Sequence, residues 1–123
     1  MSTVELNEKN FEEVVAKSEI VFVDFWAAWC APCRAFAPTF ERASEKHPDV
    51  VFGKVDTESA QELAGAFQIR SIPTLMIFKD GLIVFAQPGA LPPAALEELI
   101  EKAKALDMAA VRAQQATAAA APG

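Results

Sequence analysis

Short apolar runs alternate along this chain with amphipathic stripes, and the alternation predicts strands separated by helices. Thr3 to Leu6 reads as a short edge strand. Asn7 is placed to cap a helix running to Lys17, with Phe11, Val14 and Val15 on its buried face. Ile20 to Trp26 is almost continuously apolar and rich in β-branched residues, as expected of a strand covered on both faces. A second helix is expected from Cys30 to Lys46, with Pro32 tolerated in its first turn and Pro38 bending its interior. Val50 to Val55 predicts a strand, and Ser59 to Phe67 a short helix capped by Ser59 or Thr57. Thr74 to Phe78 and Leu82 to Phe85 flank the turn Lys79-Asp80-Gly81, a strong hairpin signal. Leu91-Pro92-Pro93 then opens a helix to Leu106, with Leu96, Leu99, Ile100, Ala103 and Leu106 facing inward. Strands separated by helices should be parallel and the closing hairpin antiparallel, so the fold class is α/β, a mixed sheet with helices on both sides.

The pattern organises residues 1–107 into one domain. From Met108 to Gly123 the chain turns alanine-rich, with no apolar stripe to bury. Alanine favours helix, which would extend the last helix, whereas the lack of burial favours disorder, and both readings stay open. A length of 123 residues and 52% hydrophobic content suit one packed core. No apolar run reaches the roughly 18 residues of a membrane span. The stretch Met1 to Lys9 has neither the basic region nor the apolar segment of a signal peptide, so a cytoplasmic protein is expected. The net charge of −6, with no basic run, disfavours nucleic-acid binding and is accounted for by solubility.

The candidate chemistry lies where the second strand ends, in Trp26-Ala27-Ala28-Trp29-Cys30-Ala31-Pro32-Cys33. On a helix, residues three apart are about 5 Å apart between Cα atoms, and a disulfide spans roughly 4.4–6.8 Å. The two thiols can therefore close and reopen a bond with little backbone movement. A thiolate is the attacking species in disulfide exchange. At a helix N-terminus, free N–H groups and the helix dipole should lower the pKa of Cys30, making it the attacker. Cys33, one turn inside, should be more buried and act as the resolving thiol. A zinc pair would need about four ligands, and the other soft donor, His47, belongs to the far end of the helix. No metal is expected, and His47 reads as an exposed residue helped by the C-terminal dipole. Asp24 interrupts an apolar strand. Either it reaches solvent or nearby backbone, or it is buried with a raised pKa, available to exchange a proton with the resolving thiol.

With these residues in place the chain resembles the thioredoxin family. Trp29-Cys30-Ala31-Pro32-Cys33 is similar to its Trp-Cys-Gly-Pro-Cys site and Ile72-Pro73-Thr74 to its Ile-Pro-Thr segment. Val23-Asp24-Phe25-Trp26-Ala27, Lys54-Val55-Asp56 and Gly89-Ala90-Leu91 fall at matching spacings across residues 3–106. Ala31 departs from the usual glycine, leaving the reaction class intact but the potential open. The resemblance implies a thioredoxin fold, a mixed five-stranded central sheet flanked by four helices. It also implies reduction of client disulfides by Cys30 and Cys33, with Asp24 as the base for Cys33, through water, and Lys54 as a partner for Asp24. It further implies a cis bond before Pro73 and a client-docking surface formed by Trp29, Ala31, Pro32, Ile72, Pro73, Gly89 and Ala90, with Trp26 packing beneath. A flavin- and NADPH-dependent thioredoxin reductase would recharge a monomer that binds no cofactor itself, since no Gly-rich phosphate loop follows a strand. A single dedicated client is a variant of this reading. The rival is a scaffold subunit with incidental cysteines, which has no need for the full set of Cys30, Cys33, Asp24 and Pro73.

Overall fold

The computed structural model describes residues 2–120, with side chains as far as Gln115. The strands are β1 (Thr3–Glu5), β2 (Ile20–Trp26), β3 (Val51–Asp56), β4 (Thr74–Lys79) and β5 (Leu82–Pro88). The helices are α1 (Phe11–Lys17), α2 (Ala31–Lys46), α3 (Gln61–Ala66), α4 (Pro93–Ala105) and α5 (Met108–Ala120). The sheet order is β1-β3-β2-β4-β5. β3 pairs in parallel with β1 and β2, while β4 runs antiparallel to β2 and β5. The expected mixed five-stranded sheet and its four helices are present, and α5 is a further helix.

Strand periodicity sorts the core into two layers. Ile20 and Phe22 join Phe52, Leu75 and Ile77 beneath Phe36 and Phe40 of α2 and Leu96 and Ile100 of α4. Val21, Val23 and Phe25 face the other way, against Phe11 and Val15 of α1. β2 is central and buried on both faces, as its composition predicted. Asp24 has the parity of Phe22 and therefore stands on the α2 face, in register with Lys54 on one side and Leu75 on the other.

Several boundaries differ from expectation. Asn7 does not cap α1; its side chain closes a turn by accepting from the Lys9 N–H, and Asn10 is the residue that precedes the helix. Neither Ser59 nor Thr57 caps α3, because Thr57 donates to the Trp26 carbonyl and ties the end of β3 to the end of β2. β5 continues beyond Phe85 because β4 offers it partners as far as Thr74, opposite Pro88. Lys79 belongs to β4, not to the turn, where Asp80 (φ 52°) and Gly81 (φ 79°) both take left-handed backbone, as a two-residue hairpin loop requires.

Lys79 also explains where α4 stops. Its buried ammonium donates to the carbonyls of Ala103 (2.7 Å), Lys104 (3.1 Å) and Leu106 (3.0 Å), a cation on the negative end of the helix. Leu106 is consequently extended and 36% exposed, not directed inward. The alanine-rich segment then starts a separate helix, with Asp107 accepting from the Ala109 N–H and Arg112 paired with Asp80 at 3.2 Å. The end of this segment, residues 121–123, lies outside the described residues. Among the described residues no helix is long and apolar enough to cross a membrane.

Candidate active site

The redox turn is made where buried β2 gives way to α2. Cys30 is the N-cap residue of α2, in extended backbone (φ −88°, ψ 111°), and its sulfur accepts the Cys33 N–H at 3.2 Å. Pro32 sits in the first turn, where a missing N–H costs no intrahelical bond. Cys30 and Cys33 are joined as a disulfide with Cα atoms 5.2 Å apart, close to the separation that their spacing predicted. Arg34 turns back to donate to the Ala28 carbonyl at 2.8 Å, bracing the turn.

Exposure scarcely distinguishes the two sulfurs, since Cys30 is 4% and Cys33 2% accessible. Their electrostatic settings differ more: Cys30 faces the free N–H groups that begin α2, and Cys33 lies within the first turn. Both pack with Ala27, and Trp26 and Ile72 close the cluster.

A second segment approaches from the start of β4. The Ile72 carbonyl oxygen lies 3.7 Å from the Cys30 sulfur. The Ile72–Pro73 bond is cis, as expected. Thr74 Oγ1 donates to the Ser71 carbonyl at 2.5 Å, and the Gly89 N–H donates to the Pro73 carbonyl at 2.8 Å. Gly89 has φ 107°, a conformation that residues carrying a Cβ rarely adopt. Trp29 is 67% exposed beside the disulfide, and Ala31, Pro32, Gly89 and Ala90 are also exposed. Ile72 is half-buried and Pro73 buried.

On β2 Asp24 is fully buried, and neither carboxylate oxygen has a hydrogen-bond partner among the described residues. Loss of hydration pushes its pKa up from 3.8 to about 7, against an opposing pull from the Lys54 charge. The Lys54 ammonium stands 5.0 Å from the centre of the Trp26 ring, a cation–π distance. The structure thus brings Cys30, Cys33, Trp26, Ile72, Pro73 and Gly89 together, with Lys54 against the Trp26 ring and Asp24 in register with Lys54 on β2. Thr57, Arg34 and Thr74 support the site without any signal in the sequence, because their hydrogen bonds fix backbone and leave no spacing signature.

The comparisons with known proteins agree with this geometry. The family profile described as Thioredoxin matches residues 2–102. The chain belongs to the thioredoxin family. A Streptomyces coelicolor protein provisionally named thioredoxin 2 is 59% identical over 111 residues, covering 90% of this chain and 83% of that one. Thioredoxin C-3 of Corynebacterium nephridii is 39% identical over 83% of this chain and 71% of its own. Among solved structures, a point mutant of a thioredoxin from Halobacterium salinarum superposes with a TM-score of 0.80 at 32% identity, over 86% of this chain and 94% of that one. With a thioredoxin fold and a paired Cys-x-x-Cys, this chain is a thiol–disulfide oxidoreductase with protein-disulfide reductase activity. Its partners are disulfide-bearing clients and a thioredoxin reductase in the general sense of the family.

His47 departs from expectation. It is only 8% exposed, held between Glu97 Oε1 at Nε2 and Lys104 Nζ at Nδ1, each 2.9 Å away. The buried stripe of α2 runs Cys33, Phe36, Phe40, Ala43 and Ser44, and a further helical step brings position 47 inward against α4.

Proposed function

We propose that this chain reduces disulfides of cytoplasmic client proteins as a monomer and is recharged by an NADPH-dependent flavoprotein reductase. The Cys30 thiolate, favoured by the N-terminus of α2, attacks one sulfur of the client disulfide. A Cys30–client disulfide forms and the other client sulfur leaves as a thiolate. Cys33 then gives its proton, through water, to the Asp24 carboxylate and attacks the Cys30 sulfur. The second client thiolate leaves, Cys30 and Cys33 are joined, and two electrons have passed to the client. The exchange needs no group beyond the two sulfurs and a base, so we assign the chain no bound cofactor.

The observation that carries this reading is the Cys30–Cys33 pair at the N-terminus of α2, with Asp24 buried on the same face of the sheet; burial pushes its pKa from 3.8 to about 7, where a carboxylate can both accept and return a proton at neutral pH. Lys54, in register beside it, tempers that pKa. Trp29, Ala31, Pro32, Ile72, Pro73, Gly89 and Ala90 serve as the docking surface, with the Ile72 backbone available to an extended client segment. The cytoplasm suits a reductant, because thiols there are kept reduced.

Insulin precipitation driven by dithiothreitol tests the reading. The native chain should accelerate it, and Cys30→Ser should remove the acceleration. Cys33→Ser should instead trap clients as mixed disulfides through Cys30. Trapping through Cys33 in the Cys30→Ser protein would reverse the assigned roles.

A further inference from the structure

The residues around the disulfide have a charge pattern unlike that of the chain as a whole. There are 17 acidic and 11 basic residues in all, for a net charge of −6. Yet residues 26–37, 67–74 and 86–93, the segments that surround Cys30, contain no carboxylate, and their only charged side chains are Arg34 and Arg70. Arg34 is engaged with the Ala28 carbonyl. Arg70 is exposed and has neither a hydrogen-bond nor an ion-pair partner among the described residues.

Arg70 borders a groove of about 250 Å³. Its lining includes the half-buried or buried apolar residues Phe67, Ile69 and Met76, the exposed amides Gln68 and Gln87, and Pro88. Ser71 and Thr74 also line it, so it begins beside Ile72–Pro73, and the hydrogen bond from Gly89 to Pro73 joins it to the redox site. Sheet order fixes its position: the groove lies on the β4–β5 side of the disulfide, while Asp56 and Glu58 follow β3 on the opposite side. Asp56 turns its Oδ1 to the Glu58 N–H. The two sides of the site therefore differ in charge: Asp56 and Glu58 follow β3, with Lys54 before them against Trp26, and Arg70 alone precedes β4.

We propose that this groove selects clients, and that its occupant is an extended client segment with a carboxylate side chain on one side of the reactive cysteine, seated by the Arg70 guanidinium. The proposal rests on the reductase reading and adds a specificity residue to it. An unpartnered guanidinium offers a paired set of donors matched to a carboxylate. The apolar lining accepts the neighbouring side chain, and the carboxylates beyond β3 repel an acidic residue placed on the wrong side.

The test uses disulfide-linked dimers of a short peptide with Glu, Gln or Lys placed two residues before or two residues after its cysteine. The reduced chain is mixed with each dimer in single-turnover experiments, acid-quenched, and the product thiols are separated. Each rate is divided by the rate for the same dimer with free dithiothreitol, which removes the effect of the charge on thiol reactivity. One of the two Glu placements should then exceed Gln by about fivefold, the upper range for an exposed ion pair, and the preference should shrink in high salt. Arg70→Gln should abolish the preference and Arg70→Glu should transfer it to Lys. Lys17→Glu, at the other end of β2, should leave it in place. Equal normalised rates for Glu and Gln in both placements would overturn the proposal, as would a preference that survives both Arg70 variants. If the Gln dimers also failed to react, the reductase reading itself would fall.

Discussion

The two ends of α2 treat buried titratable groups in opposite ways. At its C-terminal end His47 has a partner on each ring nitrogen, and Lys104 continues the chain to Asp49 at 3.1 Å. Nearby, the Lys79 ammonium is surrounded by three helix-terminal carbonyls. On β2, which leads into the N-terminal end, Asp24 is buried as deeply, with no such partner among the described residues. Polar groups paired within the protein fix a geometry; a buried carboxylate without a protein partner holds free energy that a proton can release. One end of the helix is fastened and the other is left responsive.

The sharpest way to break this contrast is Asp24→Asn. Moving a carboxyl from 3.8 to about 7 corresponds to on the order of 4 kcal/mol between its two protonation states. The folded pKa is raised, so between about pH 4 and pH 7 the native state keeps a proton that the unfolded chain has lost. Stability should therefore fall as pH rises through that window, by up to about 4 kcal/mol, and level off above it. Asp24→Asn should lack this slope, so its advantage in urea unfolding should be large at pH 8 and small at pH 4. Resolution of mixed disulfides should slow by about a hundredfold, the lower end of what a positioned base contributes. Parallel pH profiles for the two proteins would show that Asp24 bears no burial cost.

Lys79→Met probes the fastened end. Methionine preserves most of the packing but leaves the carbonyls of Ala103, Lys104 and Leu106 without their cation. The expected loss is about 2–3 kcal/mol, the scale of hydrogen bonds to a charged group. Hydrogen exchange should quicken in the last turn of α4 and in α5, whose start depends on where α4 ends. An unchanged exchange pattern would mean that Asp107 and Arg112 suffice to hold the break.

Much of the fold can be read in the sequence because its strongest signals are periodic. The seven residues of β2 are apolar save one, and that exception marks Asp24. The redox turn is equally legible, because helical rise alone brings Cys30 and Cys33 within bonding distance. What escapes are features set by contacts distant in sequence. His47 reads as a surface residue because its partners lie on α4, 50 and 57 positions away. The end of α4 depends on a lysine 24 positions earlier, on β4. The helical form of the alanine-rich segment agrees with alanine's own preference and with Asp107 as a local cap, whereas the ion pair from Arg112 to Asp80, 32 positions away, is what no local pattern reveals.

His47→Ala should have a smaller effect than Lys79→Met, about 1–2 kcal/mol, because Glu97 and Lys104 keep access to solvent or to Asp49. Its rate of insulin reduction should match that of the native chain. A slowed rate with unchanged stability would show that the two ends of α2 are coupled, and the contrast between them would fail.

Ala31→Gly, within the redox turn, should have the smallest effect. Ala31 is the first residue of α2 and is exposed, so the substitution acts through backbone propensity more than contact. Alanine favours helical backbone over glycine by about 1 kcal/mol. That preference applies whether the two sulfurs are joined or free, because α2 continues for about four turns beyond the site and holds position 31 near helical in both forms. Both forms should therefore lose stability together, by up to about 1 kcal/mol, and most of the loss should cancel in the redox equilibrium. For a two-electron couple about 30 mV corresponds to 1.4 kcal/mol, so even an uncancelled effect would move the potential by only about 20 mV. Equilibration against glutathione should show a shift below that limit. A larger shift would mean that Ala31 acts on one redox state alone, by altering the N–H groups presented to the Cys30 thiolate, and the responsive end of α2 would then be tuned at two positions, 24 and 31.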